Sequence, residues 1–208
     1  MKKVLLSAVA LLAFGFANAQ EEKSNEGFAK GDVFVSGAFT YSSAKTGDFK
    51  ENAFTIAPKV GYFVTENIAV GGMLGYSSNK IDNGAADATN SGFGLGAFGR
   101  YYFTPASKFS LFGELAFDYM TLDSEFYFDQ TIGDYVVPGN SFETKQFGVN
   151  LGLGMNYFVS SNFSLEAGVG VLGYSSNDNG GGSGVDSTNT FNFGGDWTAV
   201  TFGVNYKF

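Results

Sequence analysis

Four charged side chains are predicted to share a surface that is otherwise built of small residues. They are Lys59, Arg100, Glu114 and Glu166. Arg100 and Glu114 lie on consecutive predicted strands, which a tight turn around Pro105 joins. Because a charge in a low-dielectric interior needs a partner of opposite sign, we expect these residues to form a charge cluster in the lumen of a barrel. The cluster is either a static ion-pair plug or a gate or selectivity element. We favour the plug because a small barrel has little interior space.

The residue types that the chain lacks restrict its chemistry further. It contains no histidine and no cysteine, which removes the usual general base, the usual zinc ligand, the thiolate metal ligand and any disulfide framework. The formal net charge of −8 would repel nucleic acid, whose backbone is also anionic. We therefore predict that the protein is not an enzyme, has no catalytic, cofactor-binding or metal site, and does not bind nucleic acid.

Two polar stretches carry patterns that could bind a ligand or a partner. Gly181–Asp186 matches the front of a calcium-binding nonapeptide repeat, but a single copy cannot build a stacked β-roll, so we predict a flexible loop. Residues 122–144 mix acidic and aromatic side chains. They either extend a hairpin above the barrel, which we favour, or offer a strand edge to a protein partner.

The elements that must position these residues follow from a repeated alternation of apolar with small or polar side chains. Eight segments show it: 32–42, 53–63, 67–77, 92–103, 108–121, 145–158, 162–174 and 196–208. A period of two is the signature of a β-strand, and each segment reaches the roughly 9–11 residues that a tilted strand needs to cross a bilayer. The chain is therefore predicted to be all-β, an eight-stranded antiparallel up-and-down transmembrane β-barrel.

The connections between these segments alternate in length. Three are tight, at 64–66, 104–107 and 159–161, and four are long and polar, at 43–52, 78–91, 122–144 and 175–195. Short periplasmic turns that alternate with longer outer loops are the pattern of bacterial outer-membrane barrels. An even number of strands then places both ends of the barrel on the periplasmic side.

The two faces of the strands distinguish a membrane barrel from a soluble one. A soluble barrel would carry many Lys and Glu on its exterior, whereas here the second face holds mainly Gly, Ala, Ser, Thr and Asn. Small residues suit a narrow lumen, so the apolar face is expected to meet lipid. Aromatic residues cluster near the strand ends, below at Tyr62, Phe63, Tyr101, Tyr102, Phe103, Tyr157 and Phe158, and above at Tyr41, Tyr76, Tyr119 and Trp197. They are predicted to form two interfacial girdles.

The first residues indicate export. Lys2 and Lys3 precede the uncharged apolar run Val4–Phe16, which the small-x-small sequence Ala17-Asn18-Ala19 follows. This pattern is typical of a secretory signal peptide. We predict a signal peptide at 1–19, a short polar N-terminal extension at 20–31, and the barrel domain at 32–208.

Two segments resemble a known family. Residues 58–71, Pro-Lys-Val-Gly-Tyr-Phe-Val-Thr-Glu-Asn-Ile-Ala-Val-Gly, look like the second hairpin of the small porin-like outer-membrane β-barrel proteins of Bacteroidetes, which share an OmpA-barrel or OmpX-like domain. The last strand resembles the C-terminal signal of that family at Phe202, Val204, Tyr206 and Phe208. The resemblance implies residence in the cell outer membrane, contact with its lipid, and recognition by the barrel-assembly machinery.

Two functions fit these expectations. The first is a structural or surface-interaction role, with the lumen plugged by charged residues and an extracellular partner bound through the long loops. The alternative is a narrow porin-like channel for small solutes. The two functions differ in whether the charge cluster closes the lumen.

Overall fold

The computed structural model describes residues 26–83, 86–128, 131–132, 135–136, 140–182, 184–194 and 200–208. The predicted signal peptide and Trp197 lie outside the described residues, so cleavage before Gln20 stays a prediction. Within the described ranges, no helix has the length and apolar character needed to span a membrane.

Antiparallel strands form a closed barrel. The strands are β1 Val33–Thr46, β2 Phe49–Phe63, β3 Ile68–Asp82, β4 Ala86–Tyr102, β5 Phe109–Phe128, β6 Thr131–Ile132, β7 Tyr135–Val136, β8 Asn140–Phe158, β9 Phe163–Asn177, β10 Thr188–Phe193 and β11 Thr201–Lys207. Strands β1 to β5, β8 and β9 follow one another around the wall, and β11 closes it against β1. Strands β6 and β7 form a separate two-stranded sheet. Strands β10 and β11 both pair with β9, at different heights, and share the eighth position. The predicted all-β, eight-stranded antiparallel barrel is confirmed.

The hairpins on the long-loop side continue further than predicted. Only residues 47–48 separate β1 from β2, and β4 already begins at Ala86, so most of the predicted loops 43–52 and 78–91 is strand. The expected boundaries were wrong because they followed the apolar alternation. That alternation ends below the tips of these hairpins, whereas hydrogen bonding between the strands continues with mainly polar side chains.

The longest hairpin rises above the end of β9, while β4 runs beside it as far as the pair Ala86 and Phe128. Strand β5 has 20 residues and β8 has 19, and Phe126 stacks on Phe142 with ring centroids 5.9 Å apart. The pairing of β9 with β8 ends at Asn177 and Gln146. Residues 122–128 of β5 therefore project beyond the end of β9, by roughly 20 Å at the usual rise per residue.

Side chains alternate between a lipid-facing exterior and a packed interior. The buried apolar residues all lie towards the short-turn end: Phe28, Phe34, Phe63, Ala69, Phe98, Tyr102, Phe112, Ala116 and Phe158. This corrects the predicted lower girdle, because Phe63, Tyr102 and Phe158 point inwards and are buried. Their chain neighbours Tyr62, Tyr101 and Tyr157 are exposed, as consecutive residues of a strand must face opposite sides.

Several lumen glycines leave space for the inward-facing rings. A Cβ added at Gly61 would overlap the ring of Phe34, one at Gly71 the ring of Phe98, and one at Gly154 the ring of Phe112. In each case the ring belongs to a neighbouring strand. Each close approach therefore requires a residue without a side chain. In each pair, the ring of one strand fills the space that the glycine of the neighbouring strand leaves open.

Candidate functional site: the lumen charge cluster

The turn at residues 103–108 brings the first two charged residues of the cluster face to face. Arg100 of β4 and Glu114 of β5 are direct partners across the ladder, and Arg100 Nε donates to Glu114 Oε2 at 2.5 Å. Two further nitrogens of the same guanidinium donate to Glu166 Oε2 and Oε1 at 2.7 and 2.9 Å. This paired geometry is the strongest that an arginine makes with a carboxylate.

Lys59 completes the cluster from the other side of the barrel. Its Nζ lies 2.6 Å from Glu114 Oε1, so Glu114 bridges Lys59 and Arg100. The structure thus brings together all four charged residues that the sequence singled out. They come from β2, β4, β5 and β9, and β9 lies three positions from both β2 and β4 around the barrel. The cluster therefore crosses the lumen and holds two positive and two negative groups.

Aromatic rings surround the guanidinium of Arg100. Its central carbon lies 5.6, 5.2 and 4.3 Å from the ring centroids of Phe34, Phe98 and Phe112, distances at which a cation is attracted to the face of a ring. One of its nitrogens also donates to Tyr102 Oη at 3.1 Å. The residue is only 2% exposed.

These rings are absent from the site predicted from the sequence, although the sequence contains a signal for two of them. Phe98 stands two residues before Arg100, and Phe112 two residues before Glu114. With a period of two, each ring must share the inward face of its charged neighbour. No cluster residue stands two residues from Phe34, and its place beside Arg100 follows only from the successive registers of β1 to β4 around the wall.

Open space remains above the cluster. A cavity of about 160 Å³ has Lys59, Arg100, Glu114 and Glu166 among its lining residues, and its wall includes Gly152, Gly168, Gly170, Asn150 and Thr201. Higher in the lumen, Asn150 Nδ2 donates to Asp118 Oδ1 at 2.8 Å. The lumen is therefore wide and polar above the charge cluster and filled with rings below it.

The residues of the predicted C-terminal signal form an outward row. Phe202, Val204 and Tyr206 are exposed on the outer face of β11, and the ring of Phe208 packs edge-on against that of Tyr206 with centroids 4.9 Å apart. The backbone N–H of Phe208 donates to Val33 O at 2.9 Å. The end of the chain is therefore fastened to the beginning of β1.

The glycine-rich loop is organised by its own side chains. Asp178 Oδ1 accepts from the backbone N–H groups of Lys145 at 2.8 Å and Gly180 at 3.1 Å, and these bonds lower the pKa of the Asp178 carboxyl. Asn179 adopts a positive φ of 52° and donates to Asp186 O at 2.8 Å. In this geometry the Asp178 oxygen is already used by the backbone.

The fold is similar to that of a known outer-membrane protein. A major outer membrane protein from Thermus thermophilus is similar in structure, with 12% identity over 87% of this chain and all of that chain, and a TM-score of 0.52. Ail of Yersinia pestis has a TM-score of 0.48 and is 15% identical over 86% of this chain and 99% of that chain. OprG of Pseudomonas aeruginosa has a TM-score of 0.46 and is 18% identical over 88% of this chain and 99% of that chain. No curated protein matches the chain.

One family model covers nearly the whole sequence. The model of the outer membrane protein beta-barrel domain matches residues 7–208. The match includes every strand of the barrel and all four charged residues of the cluster. The chain therefore belongs to the outer membrane protein β-barrel domain family and resides in the outer membrane.

Proposed function

We propose that this protein has a structural or surface-interaction role in the outer membrane, without catalytic activity, and that the charge cluster closes its lumen. The observation that carries the proposal is the position of Arg100, which is almost wholly buried in the lumen and bonded to carboxylates on two different strands. A solute that passed would have to separate these charges. Residues 58–71 resemble the second hairpin of the small porin-like outer-membrane β-barrel proteins of Bacteroidetes. This resemblance favours membership of that group of proteins.

Opening the cluster would be costly. Breaking a buried ion pair by removing one partner typically costs 3–5 kcal/mol, because a charge stays behind without compensation. Here Glu114 neutralises two cations, and Glu166 accepts two hydrogen bonds from one guanidinium. The rings beneath Arg100 add a second obstruction on the periplasmic side. These contacts favour a static plug over a gate that opens in ordinary thermal motion.

The projecting hairpin supports the surface-interaction part of the proposal. Within the part of the chain that the structure describes, Asn140 to Thr144 of β8 pair with β5 and have no strand on their other side. An exposed strand edge can bind an extended segment of another protein through main-chain hydrogen bonds. The partner we propose is therefore an extracellular protein that adds a strand to this edge.

A narrow porin-like channel for small solutes is the second candidate, and the cavity above the cluster favours it. Conductance across a planar lipid bilayer separates the two functions. The refolded protein should be electrically silent if the cluster is a plug, and Glu114→Ala should add at most a small conductance because the rings below remain. A large steady conductance of the unmutated protein would overturn the plug. Marked opening by Glu114→Ala alone would instead identify a gate.

A further inference from the structure

A short segment ahead of the first strand fills the periplasmic mouth of the barrel. Phe28 belongs to no strand, yet it is only 2% exposed. Its ring lies among four rings of the barrel, at centroid distances of 5.5 Å from Phe34, 4.7 Å from Phe63, 5.3 Å from Tyr102 and 4.9 Å from Phe158. These residues come from β1, β2, β4 and β8, so the barrel supplies an aromatic pocket for one inserted side chain.

Residues of the barrel mouth also form hydrogen bonds with the backbone of Phe28 and its neighbour Gly27. The N–H of Phe28 donates to Pro105 O at 2.7 Å, and Lys207 Nζ donates to Gly27 O at 2.5 Å. Gly27 has a φ of +114°, and a Cβ there would lie 2.5 Å from the carbonyl carbon of Ala106. The mouth therefore accepts a glycine at this position and excludes any larger residue.

Ionic contacts join both ends of the segment to the barrel. Glu26 Oε1 accepts from Lys108 Nζ at 3.2 Å, and Asp32 Oδ2 lies 3.8 Å from Lys207 Nζ. The same carboxylate accepts from the N–H of Ala29 at 2.8 Å. Residues 26–32 make these contacts from outside the strands. Two backbone hydrogen bonds also join them to β2, from Gly31 N–H to Phe63 O and from Phe63 N–H to Asp32 O, both at 2.9 Å. Release of the segment would break these two bonds and leave the pairing of β1 with β2 from Val33 onwards in place.

We propose that the periplasmic mouth is a peptide-binding socket, specific for a glycine followed by phenylalanine, and that the chain's own residues 26–32 occupy it. The four rings select the aromatic side chain, the wall at Ala106 selects the glycine, and Pro105 O and Lys207 Nζ bind the main chain. A separate peptide of the sequence of residues 26–32 is therefore a ligand for the vacated socket. The socket shares Phe34 and Tyr102 with the surroundings of Arg100, but none of the four charged residues of the cluster contributes to the contacts described for it.

Two variants of the full chain empty the socket in different ways. Gly27→Ala introduces the excluded Cβ, and Phe28→Ala removes the ring. Gly31→Ala is the matched control, because Gly31 also has a positive φ, of +93°, but nothing lies within 4 Å of its added Cβ. The first measurement is the rate of trypsin cleavage after Lys30 in the folded protein in detergent. Both emptying variants should be cut at least about tenfold faster than the wild type, since cleavage follows the population of the released segment. They should also be cut faster than Gly31→Ala, which shares the strain of a side chain at positive φ but not the clash with Ala106.

The second measurement tests recognition directly. A peptide of residues 26–32 that carries 4-fluorophenylalanine in place of Phe28 is titrated into folded Phe28→Ala and Gly27→Ala protein and followed by fluorine NMR. Saturable binding is expected to both variants, with little to the wild type, whose socket is occupied. A matching peptide with alanine in place of Gly27 should not bind. Equal cleavage of all four proteins, or no difference between the two peptides, would overturn the proposal, and the heat-modifiable band confirms that each variant is folded.

Discussion

Arg100 and Glu166 are joined by two hydrogen bonds across the lumen, although 66 residues separate them in the chain. Their strands, β4 and β9, are three positions apart around the barrel. The contact therefore braces two parts of the wall that no ladder connects directly. Glu114 extends this brace to Lys59.

Loss of the bridging carboxylate should destabilise the barrel. Glu114→Ala leaves Lys59 with no carboxylate among its described contacts and Arg100 with Glu166 alone. The expected loss approaches 3–5 kcal/mol, reduced by any water in the lumen. Asp48→Ala, in the exposed turn between β1 and β2, is the control and should change stability by no more than about 0.5 kcal/mol. Equal urea midpoints of unfolding for the two variants would refute the buried cluster.

The fit between Phe112 and Gly154 should be intolerant of even one methyl group. Gly154→Ala places a Cβ in the ring of Phe112, and overpacking of this kind costs typically 1–3 kcal/mol. Gly113→Ala is the matched control on the neighbouring strand, because nothing lies within 4 Å of its added Cβ. Thermal unfolding in detergent should separate the two variants. If Gly154→Ala unfolds at the temperature of Gly113→Ala, the ring does not fill this site.

The order of the glycine-rich loop should depend on pH through Asp178. Backbone hydrogen bonds from Lys145 and Gly180 lower the pKa of its carboxyl. A lowered pKa means that the carboxylate stabilises the loop above the ordinary pKa of about 3.9, and that this contribution is lost as the pH falls through the lowered value. Amide hydrogen exchange at Gly180 should therefore show weaker protection, after correction for the intrinsic rate, at acidic pH. Asp178→Asn keeps an acceptor oxygen without a titrating group, so its protection should not change with pH.

The terminal phenylalanine should matter for assembly. Deletion of Phe208 removes the ring that packs on Tyr206 and the N–H bonded to Val33. We expect less folded protein in the outer membrane while export to the periplasm is unaffected. The measurement is the heat-modifiable band on a gel, compared with total exported protein. An unchanged band would contradict a role for Phe208 in the assembly signal.

The sequence predicted the membrane-spanning strands for a simple reason, and the same reason places Arg100 and Glu114 opposite each other. A period of two assigns each residue to one face, and a short turn fixes which residues of adjacent strands stand opposite, as for Arg100 and Glu114. Contacts across several strands depend on the register around the whole barrel, which local patterns do not contain. The ring of Phe34 beside Arg100 was missed for that reason. The inward side of Phe63 does follow from the period of two, because its neighbour Tyr62 faces outwards, and the grouping of aromatic residues by height alone overlooked it.

The pairing of each inward ring with a glycine on a neighbouring strand limits how such a lumen can be redesigned or can diverge. Enlarging Gly61, Gly71 or Gly154 alone produces a clash with Phe34, Phe98 or Phe112, respectively, and shortening one of these rings alone leaves a void. At Gly61 and Gly154 a viable change must alter both members of the pair together, whereas a Cβ at Gly71 would also meet the backbone carbonyl oxygen of Val60, which no change of Phe98 relieves. A wider pore would therefore be reached through double substitutions of Gly61 with Phe34 or of Gly154 with Phe112, and in related sequences the residue sizes at the two positions of each pair should change together.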